Sequence, residues 1–534
     1  MTSATPASGG LPAFSLADVS GATRRFPTGR TALLAFVKED CPTCNLVMPL
    51  LEAAHRAFGG ALDVLVVGQD APGNGVLVER FGLTVPVLDD TALRVSFRYE
   101  VETVPTLALS DEGGRQLFRT EGFLKPEWQA LLAQLAERVG VAAPAVDWSA
   151  YPELRPGCGS RSVEPGIAER LAAEAEGSPL RARRIEIGDA DDPFEFMFDQ
   201  GMTDGLPVVP PTPERVLRML AGARRDPQDV VAVVPPNMGL ATVEKVAANA
   251  VMAGCKPAYL PVVIAALEAV CADEFDIHGV MATTWSATPA IIVNGPIRHR
   301  LGMEMGVSAL GPGNRANATI GRAVKLVLRN LGGARPGEIE RGMMGTPAKY
   351  TLCFAEWEER SPWEPLHVER GFRAEDDVVT VLAVGGGPHA IADQSSRSAR
   401  ALAGSLALGL ESTWHPKLHA QGDALLIVSP EHADTLRRDG WTKADLRRRV
   451  QEITARSVRE LLQDEEVGEG LSPRRFGPAG PTTADLDQRI AKFRGPENIH
   501  IVVAGGDAGK SSAVFAGWVS GEAGSNMVSR KIEG

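Results

Sequence analysis

The chain has no surplus of positive charge. Its 55 Lys and Arg stand against 67 Asp and Glu, a net charge of -12. That leaves nothing to neutralise a phosphate backbone and argues against a nonspecific nucleic-acid binder. No apolar run reaches membrane-spanning length, and the run around residues 260–272 is broken by Glu268. Residues 1–10 lack the basic and apolar regions of a secretory signal, so the expectation is a cytoplasmic protein with no membrane partner. Cysteine is scarce, six in 534 residues, which excludes a disulfide scaffold. Aromatics are sparse at 5%, but 44% hydrophobic and 23% charged residues are globular values. A length of 534 residues points to two or three domains.

What is present is a pair of thiols, Cys41-Pro42-Thr43-Cys44, directly after the apolar run Ala32-Leu33-Leu34-Ala35-Phe36-Val37. Strand, CxxC and helix in that order put the first sulfur at a helix N-terminus. Exposed N–H groups and the helix dipole favour a thiolate there. A thiolate attacks disulfides, and a second thiol directly after the intervening pair can resolve the mixed disulfide. A zinc site would need a second CxxC or a histidine pair, and neither stands nearby. No metal and no cofactor is expected beyond a redox-active Cys41–Cys44 disulfide.

Strand-like runs at 31–37, 62–68, 85–88 and 106–109 alternate with helical patterns at 44–58, 75–81 and 125–139. This alternation predicts an α/β domain over residues 1–140. Pro49 follows Cys44 by five residues, and Tyr99-Glu100-Val101-Glu102-Thr103-Val104-Pro105-Thr106 lies downstream. With the CxxC, these features resemble the thioredoxin-like family, in particular its bacterial thiol–disulfide oxidoreductases. The resemblance implies that Pro49 kinks the active-site helix and that Pro105 is a cis-proline beside the dithiol. It further implies that a substrate backbone pairs at that loop. Two positions depart from the family: Asp40 replaces a tryptophan, and Ala35 replaces a buried acid. Glu39 and Asp40 are expected to raise the Cys41 pKa by like-charge repulsion.

A proline-containing stretch of small residues at 141–146 reads as the start of a linker, residues 141–193, with a short helix within 165–190. Inside it, Cys158 lies in a glycine loop between Arg155 and Arg161, cations that lower a thiol's pKa. Two readings fit Cys158: a redox relay for the CxxC, or a free loop thiol.

From 194 to 534 a second pattern recurs, short β-rich runs ending in Gly, Pro, Asn or Ser turns, with a subdomain break considered near 335–375. Thr212 with Pro213, and Ser429 with Pro430, read as helix starts. Thr442 with Asp445 reads as a capping box. Continuous apolar strands followed by helices predict an α/β module with a mostly parallel sheet, whose ligand crevice would lie along one edge. The expected small-ligand or anion site draws on Asn294, Gly385, Gly386, Gly387, His389 and Ser429. Arg315 before a helix at 320–330 is a further anion candidate. The GKS at Gly509-Lys510-Ser511 has the wrong glycine spacing for a nucleotide loop. Cys353, His367 and the glutamates between them, Glu356, Glu358, Glu359 and Glu364, are candidates for metal or acid–base chemistry without a recognised spacing.

The functional expectation is an oxidoreductase acting on sulfur groups, with protein or small-molecule thiols and disulfides as partners. Cys41 is its nucleophile and Cys44 its resolving thiol. The dithiol module is fused to an α/β catalytic module that it supplies with electrons. The alternative is a redox sensor or docking domain fused to an anion-binding module without turnover.

Overall fold

Six consecutive apolar residues, Ala32–Val37, form a strand in which every side chain is buried, and the first half of the fold is built around it. The computed structural model describes residues 10–164, 167–175, 177–185, 187–188, 191–522 and 524–533. The chain divides into two units, Met1–Ile185 and Glu186–Gly534.

In chain order the first unit begins with a hairpin, β1 (Phe14–Ala17) and β2 (Thr23–Phe26). The strand just described is β3, followed by α1 (Pro42–Phe58), β4 (Asp63–Gly68), α2 (Ala71–Phe81) and β5 (Val87–Asp89). After α3 (Arg94–Arg98) come β6 (Thr103–Val104), β7 (Thr106–Ser110), β8 (Gln116–Glu121), β9 (Phe123–Leu124) and α4 (Lys125–Val139). The sheet order is β5-β4-β3-β7-β8, with β4 and β5 parallel to their neighbours and β7 and β8 antiparallel. This is a thioredoxin-like α/β arrangement. The expected strands and helices are all present. Helix α2 starts four residues early because Asp70 caps it, accepting from the Gly73 N–H at 2.9 Å. The half-exposed hairpin β1–β2 and strand β8 carry too little alternation to be read from the sequence.

The linker expected at 141–193 is largely not a linker. Its segment β10 (Leu154–Arg155) pairs with β9, and β11 (Cys158–Gly159) pairs with β6. Aromatic packing holds it there. Tyr151 stacks on Phe123 with ring centroids 5.8 Å apart, and Val146 and Trp148 lie against the core. The short helix is Ile167–Ala175, while residues 165, 166, 176, 186, 189 and 190 lie outside those described.

The second unit is α/β as expected, but its seven-stranded sheet is mixed and not mostly parallel. The order is Cys353–Ala355, Ala287–Asn294, Val378–Ala392, Ser511–Val519, Gly422–Val428, Ile499–Val503, with Val528–Lys531 also on Val378–Ala392. Only the first and last neighbours of that order pair in parallel, and the other ladders are antiparallel. The apolar runs are continuous because both faces are covered. Leu426 and Val428 enter one core while Leu425 and Ile427 enter another. Two-sided burial carries no information about strand direction. The edge strand Cys353–Ala355 lies within 335–375, so that stretch is built into the sheet and marks no boundary. Among the described residues, no helix is long and apolar enough to cross a membrane.

Candidate active site

Cys41 is the N-cap of α1, and its sulfur accepts the Cys44 N–H at 3.3 Å. Pro42 occupies the first helical turn, where its missing N–H costs nothing. Pro49 lies inside α1, where the resemblance places it. Both Cys41 and Cys44 are free thiols and fully buried, so the Cys41–Cys44 disulfide expected from the sequence is not formed in this structure. The Val104–Pro105 bond is cis, and the Val104 carbonyl lies 3.5 Å from the Cys41 sulfur.

The electrostatics separate the two cysteines. The Cys44 thiol beside it, donating to its sulfur, holds Cys41 down at about 5, against burial; Cys158 and the N–H groups of Cys44 and Thr43 act in the same direction. Burial pushes the Cys44 thiol far up, and the neighbouring Cys41 charge adds to that. The pair therefore consists of one exchange-ready thiolate and one protonated thiol.

The expected effect of Glu39 and Asp40 is not found. Glu39 is engaged by Arg80 at 2.5 Å, while Asp40 lies 3.6 Å from Lys38 and 4.0 Å from Arg161. Their charges are matched locally, and the hydrogen bond from the Cys44 thiol leads at Cys41, with Cys158 and the helix-end N–H groups adding to it.

Cys158 lies in the same site. It is paired with Val104 across the β6–β11 bridge, and its thiol is a hydrogen-bond partner of the Cys41 sulfur. The flanking arginines do not lower its pKa as expected. Arg155 is exposed and Arg161 is committed to Asp70 at 3.2 Å. The Cys158 pKa is instead raised, first by its hydrogen bond to Cys41 and then by burial, with Lys38 opposing.

Several residues missed in the sequence hold this segment. Thr43 Oγ1 donates to the Pro156 carbonyl at 2.6 Å, and the Ser160 N–H to the Glu102 carbonyl at 2.8 Å. Gln69 donates to Ser160 Oγ at 2.7 Å and accepts the Arg161 N–H at 3.0 Å. Gly157 permits the close approach, since a Cβ there would lie 2.3 Å from Thr103 Cγ2 and 2.7 Å from the Val104 carbonyl oxygen. The glycines around Cys158 were the available signal.

The candidates of the second unit do not form one crevice. Asn294 pairs with Val378 and Ala287 with Gly385, so Asn294 and Gly385 sit at opposite ends of one ladder, roughly 20 Å apart along the strand. Asn294 is fully buried and donates to Glu356 at 2.7 Å and Glu358 at 3.0 Å. Gly385, Gly386, Gly387 and His389 form no turn before a helix; they continue the strand Val378–Ala392 through a bulge. Ser429 does start the helix Pro430–Arg438, and its N–H meets Ser512 Oγ, which also contacts His432 Nδ1 at 2.7 Å. Arg315 opens the helix Arg315–Asn330, capped by Asn314, and lines a cavity of about 380 Å³ with Arg215, Arg218 and Lys256. Cys353 and His367 are buried, and His367 Nδ1 is 3.9 Å from Glu358. Among the described residues, no three His, Cys, Asp or Glu side chains come together as metal ligands.

No protein-family model matches the chain. Two curated proteins named thiol-disulfide oxidoreductase ResA are similar to it. The one from Geobacillus thermodenitrificans is 30% identical over 109 residues, covering 20% of this chain and 63% of that protein. The one from Halalkalibacterium halodurans is 29% identical over 106 residues, covering 19% of this chain and 60% of that protein. The chain thus spans less than two thirds of the length of these curated relatives. Among solved structures, a putative thiol:disulfide interchange protein DsbE from Chlorobium tepidum is 22% identical, covering 26% of this chain and 99% of its own, with a TM-score of 0.24. StoA from Bacillus subtilis is 21% identical, covering 22% of this chain and 97% of its own, with a TM-score of 0.21. The N-terminal part of the chain is therefore similar to thioredoxin-like thiol–disulfide oxidoreductases.

Proposed function

We propose that this chain carries out thiol–disulfide exchange, with Cys41 as the attacking thiolate, on protein or small-molecule disulfides. The observation that carries the reading is the Cys41 sulfur. It caps α1, is held at about 5, and lies beside the Val104 carbonyl at the Pro105 loop. Cys44, kept protonated, supplies a resolving thiol. The dithiol supplies electrons to chemistry in the second unit, a reading supported by their fusion on one chain. Iodoacetamide labelling of the reduced full chain at neutral pH tests the nucleophile. Cys41 should be modified ahead of the other five cysteines; equal or slower labelling of Cys41 removes the reading.

The cavity among Arg215, Arg218, Lys256 and Arg315 favours a second reading, a dithiol sensor attached to an anion-binding module. Titration with inorganic phosphate distinguishes the two. A sensor binds phosphate with different affinity when the dithiol is oxidised and when it is reduced, and Arg315→Ala weakens both. Equal affinity in the two states removes the sensor.

A further inference from the structure

The exposed edge of β6, next to Pro105, is where the resemblance places the backbone of a substrate. In this chain that edge is taken. β11 pairs antiparallel with β6, Cys158 facing Val104 and Gly159 facing Thr103. The register brings Cys158 to the Cys41 sulfur, where an extended substrate would bring its own sulfur. The contact is reinforced on both flanks, by Thr43 on the Pro156 carbonyl and by Gln69 on Ser160 and Arg161. Thr43 belongs to the CxxC itself, so the motif's own side chain grips the segment.

We propose that residues 156–160 are a resident substrate strand, and that Cys158, ahead of Cys44, resolves mixed disulfides formed on Cys41, closing a Cys41–Cys158 disulfide. The proposal rests on Cys41 being the attacking thiolate.

The steps balance with an organic disulfide as oxidant. The Cys41 thiolate attacks one sulfur of the disulfide, a Cys41–S–S–R bond forms, and one RS⁻ leaves. Cys158 loses its proton to solvent and attacks the Cys41 sulfur. The Cys41–Cys158 bond forms, the bond to R breaks, and a second RS⁻ departs with the electron pair. Two cysteines of the chain have been oxidised, and one external disulfide has been reduced to two thiols.

Cys158 is better placed than Cys44 for the second step. The first cause of the raised Cys158 pKa is its hydrogen bond to Cys41, which vanishes with the Cys41 charge once Cys41 is capped. Burial remains, but Cys158 is only partly buried, with Lys38 favouring its thiolate and Asp40 opposing it. At Cys44 burial is the leading cause; capping Cys41 removes the hydrogen bond and charge that add to it but leaves the burial of this fully buried thiol in place. A further consequence concerns substrate class. An extended polypeptide must displace residues 156–160 before it can pair with β6, whereas a small disulfide needs no strand edge. Small disulfides are therefore the preferred oxidants.

The test uses the full-length Cys44→Ser chain, reduced and then treated with oxidised glutathione, acid-quenched and read by intact mass and peptide mapping. The expected product is a Cys41–Cys158 cross-link with loss of the glutathione adduct. A stable Cys41–glutathione adduct with Cys158 free overturns the proposal while leaving Cys41 as nucleophile. An unreactive Cys41 overturns both. Gly157→Ala in the same background keeps both thiols, Cys41 and Cys158, but pushes the strand off Val104. It should shift the product from the cross-link toward the glutathione adduct. An unchanged cross-link yield counts against docking by β11.

Discussion

Cys158 faces Val104 across an antiparallel bridge, one residue before Pro105, and its thiol meets the sulfur of Cys41. A segment of the first unit that reads as a linker in the sequence thereby completes the surroundings of the dithiol. The pairing ties the reactivity of Cys41 to a residue far outside the CxxC motif.

The pH dependence of Cys41 follows from its lowered pKa. Its labelling rate should be flat near neutrality and fall as pH drops through about 5. Cys158→Ala removes one of the donors that lower this pKa, so the midpoint should move upward. A midpoint near that of an ordinary cysteine in the unsubstituted chain contradicts the geometry.

The same shift has a stability consequence. Between about 5 and the ordinary thiol range, the unfolded chain holds a proton at Cys41 that the folded chain does not. Folding therefore gains stability as pH rises through that window and loses it as pH falls through about 5. The difference in Tm between the reduced chain and Cys41→Ser should narrow on acidification. Parallel Tm curves for the two proteins would oppose this.

Glu52 on α1 secures the helix that carries the dithiol. It accepts the N–H groups of Thr84 and Val85 at 2.8 and 3.0 Å, and Thr84 Oγ1 and Arg56 Nε at 2.6 Å each. Burial opposes its charge, but these donors prevail and hold it at about 2. Hydrogen bonds to a charged group contribute about 1.5–3 kcal/mol, so Glu52→Ala should cost on the order of 3 kcal/mol in denaturant unfolding of the first unit. A loss indistinguishable from zero would show that the network contributes nothing.

In the second unit Gly295 has φ +87°, and a Cβ there would lie 2.2 Å from the Asp376 carbonyl oxygen. Gly295→Ala meets both backbone strain and a steric clash, and should destabilise by roughly 1–3 kcal/mol. Thermal unfolding of the full chain measures it; an unchanged profile would mean that the turn relaxes freely.

The residues legible in the sequence were those whose roles are local. Cys41, Cys44 and Pro49 lie on one strand–helix unit, and the run of Ala32–Val37 reports the central strand directly. The pairing of Cys158 with Val104 is long-range, and only the run of glycines hinted at a close approach. Glu39 and Asp40 misled because two of their partners, Arg80 and Arg161, are distant in sequence, and these add to the adjacent Lys38 in matching the two charges. In the second unit, apolar continuity reported burial correctly and direction wrongly. That error placed Asn294 and Gly385 on one sheet edge, when the antiparallel ladder separates them.

The most direct test of thiol–disulfide exchange at Cys41 is a single-turnover reaction of the reduced full chain, freed of reductant, with oxidised glutathione, counting the glutathione thiols released. The unsubstituted chain should release two per chain and end with Cys41 in an intramolecular disulfide, as two-electron exchange requires. Cys41→Ser should release none above background. Undiminished release from Cys41→Ser would contradict the account.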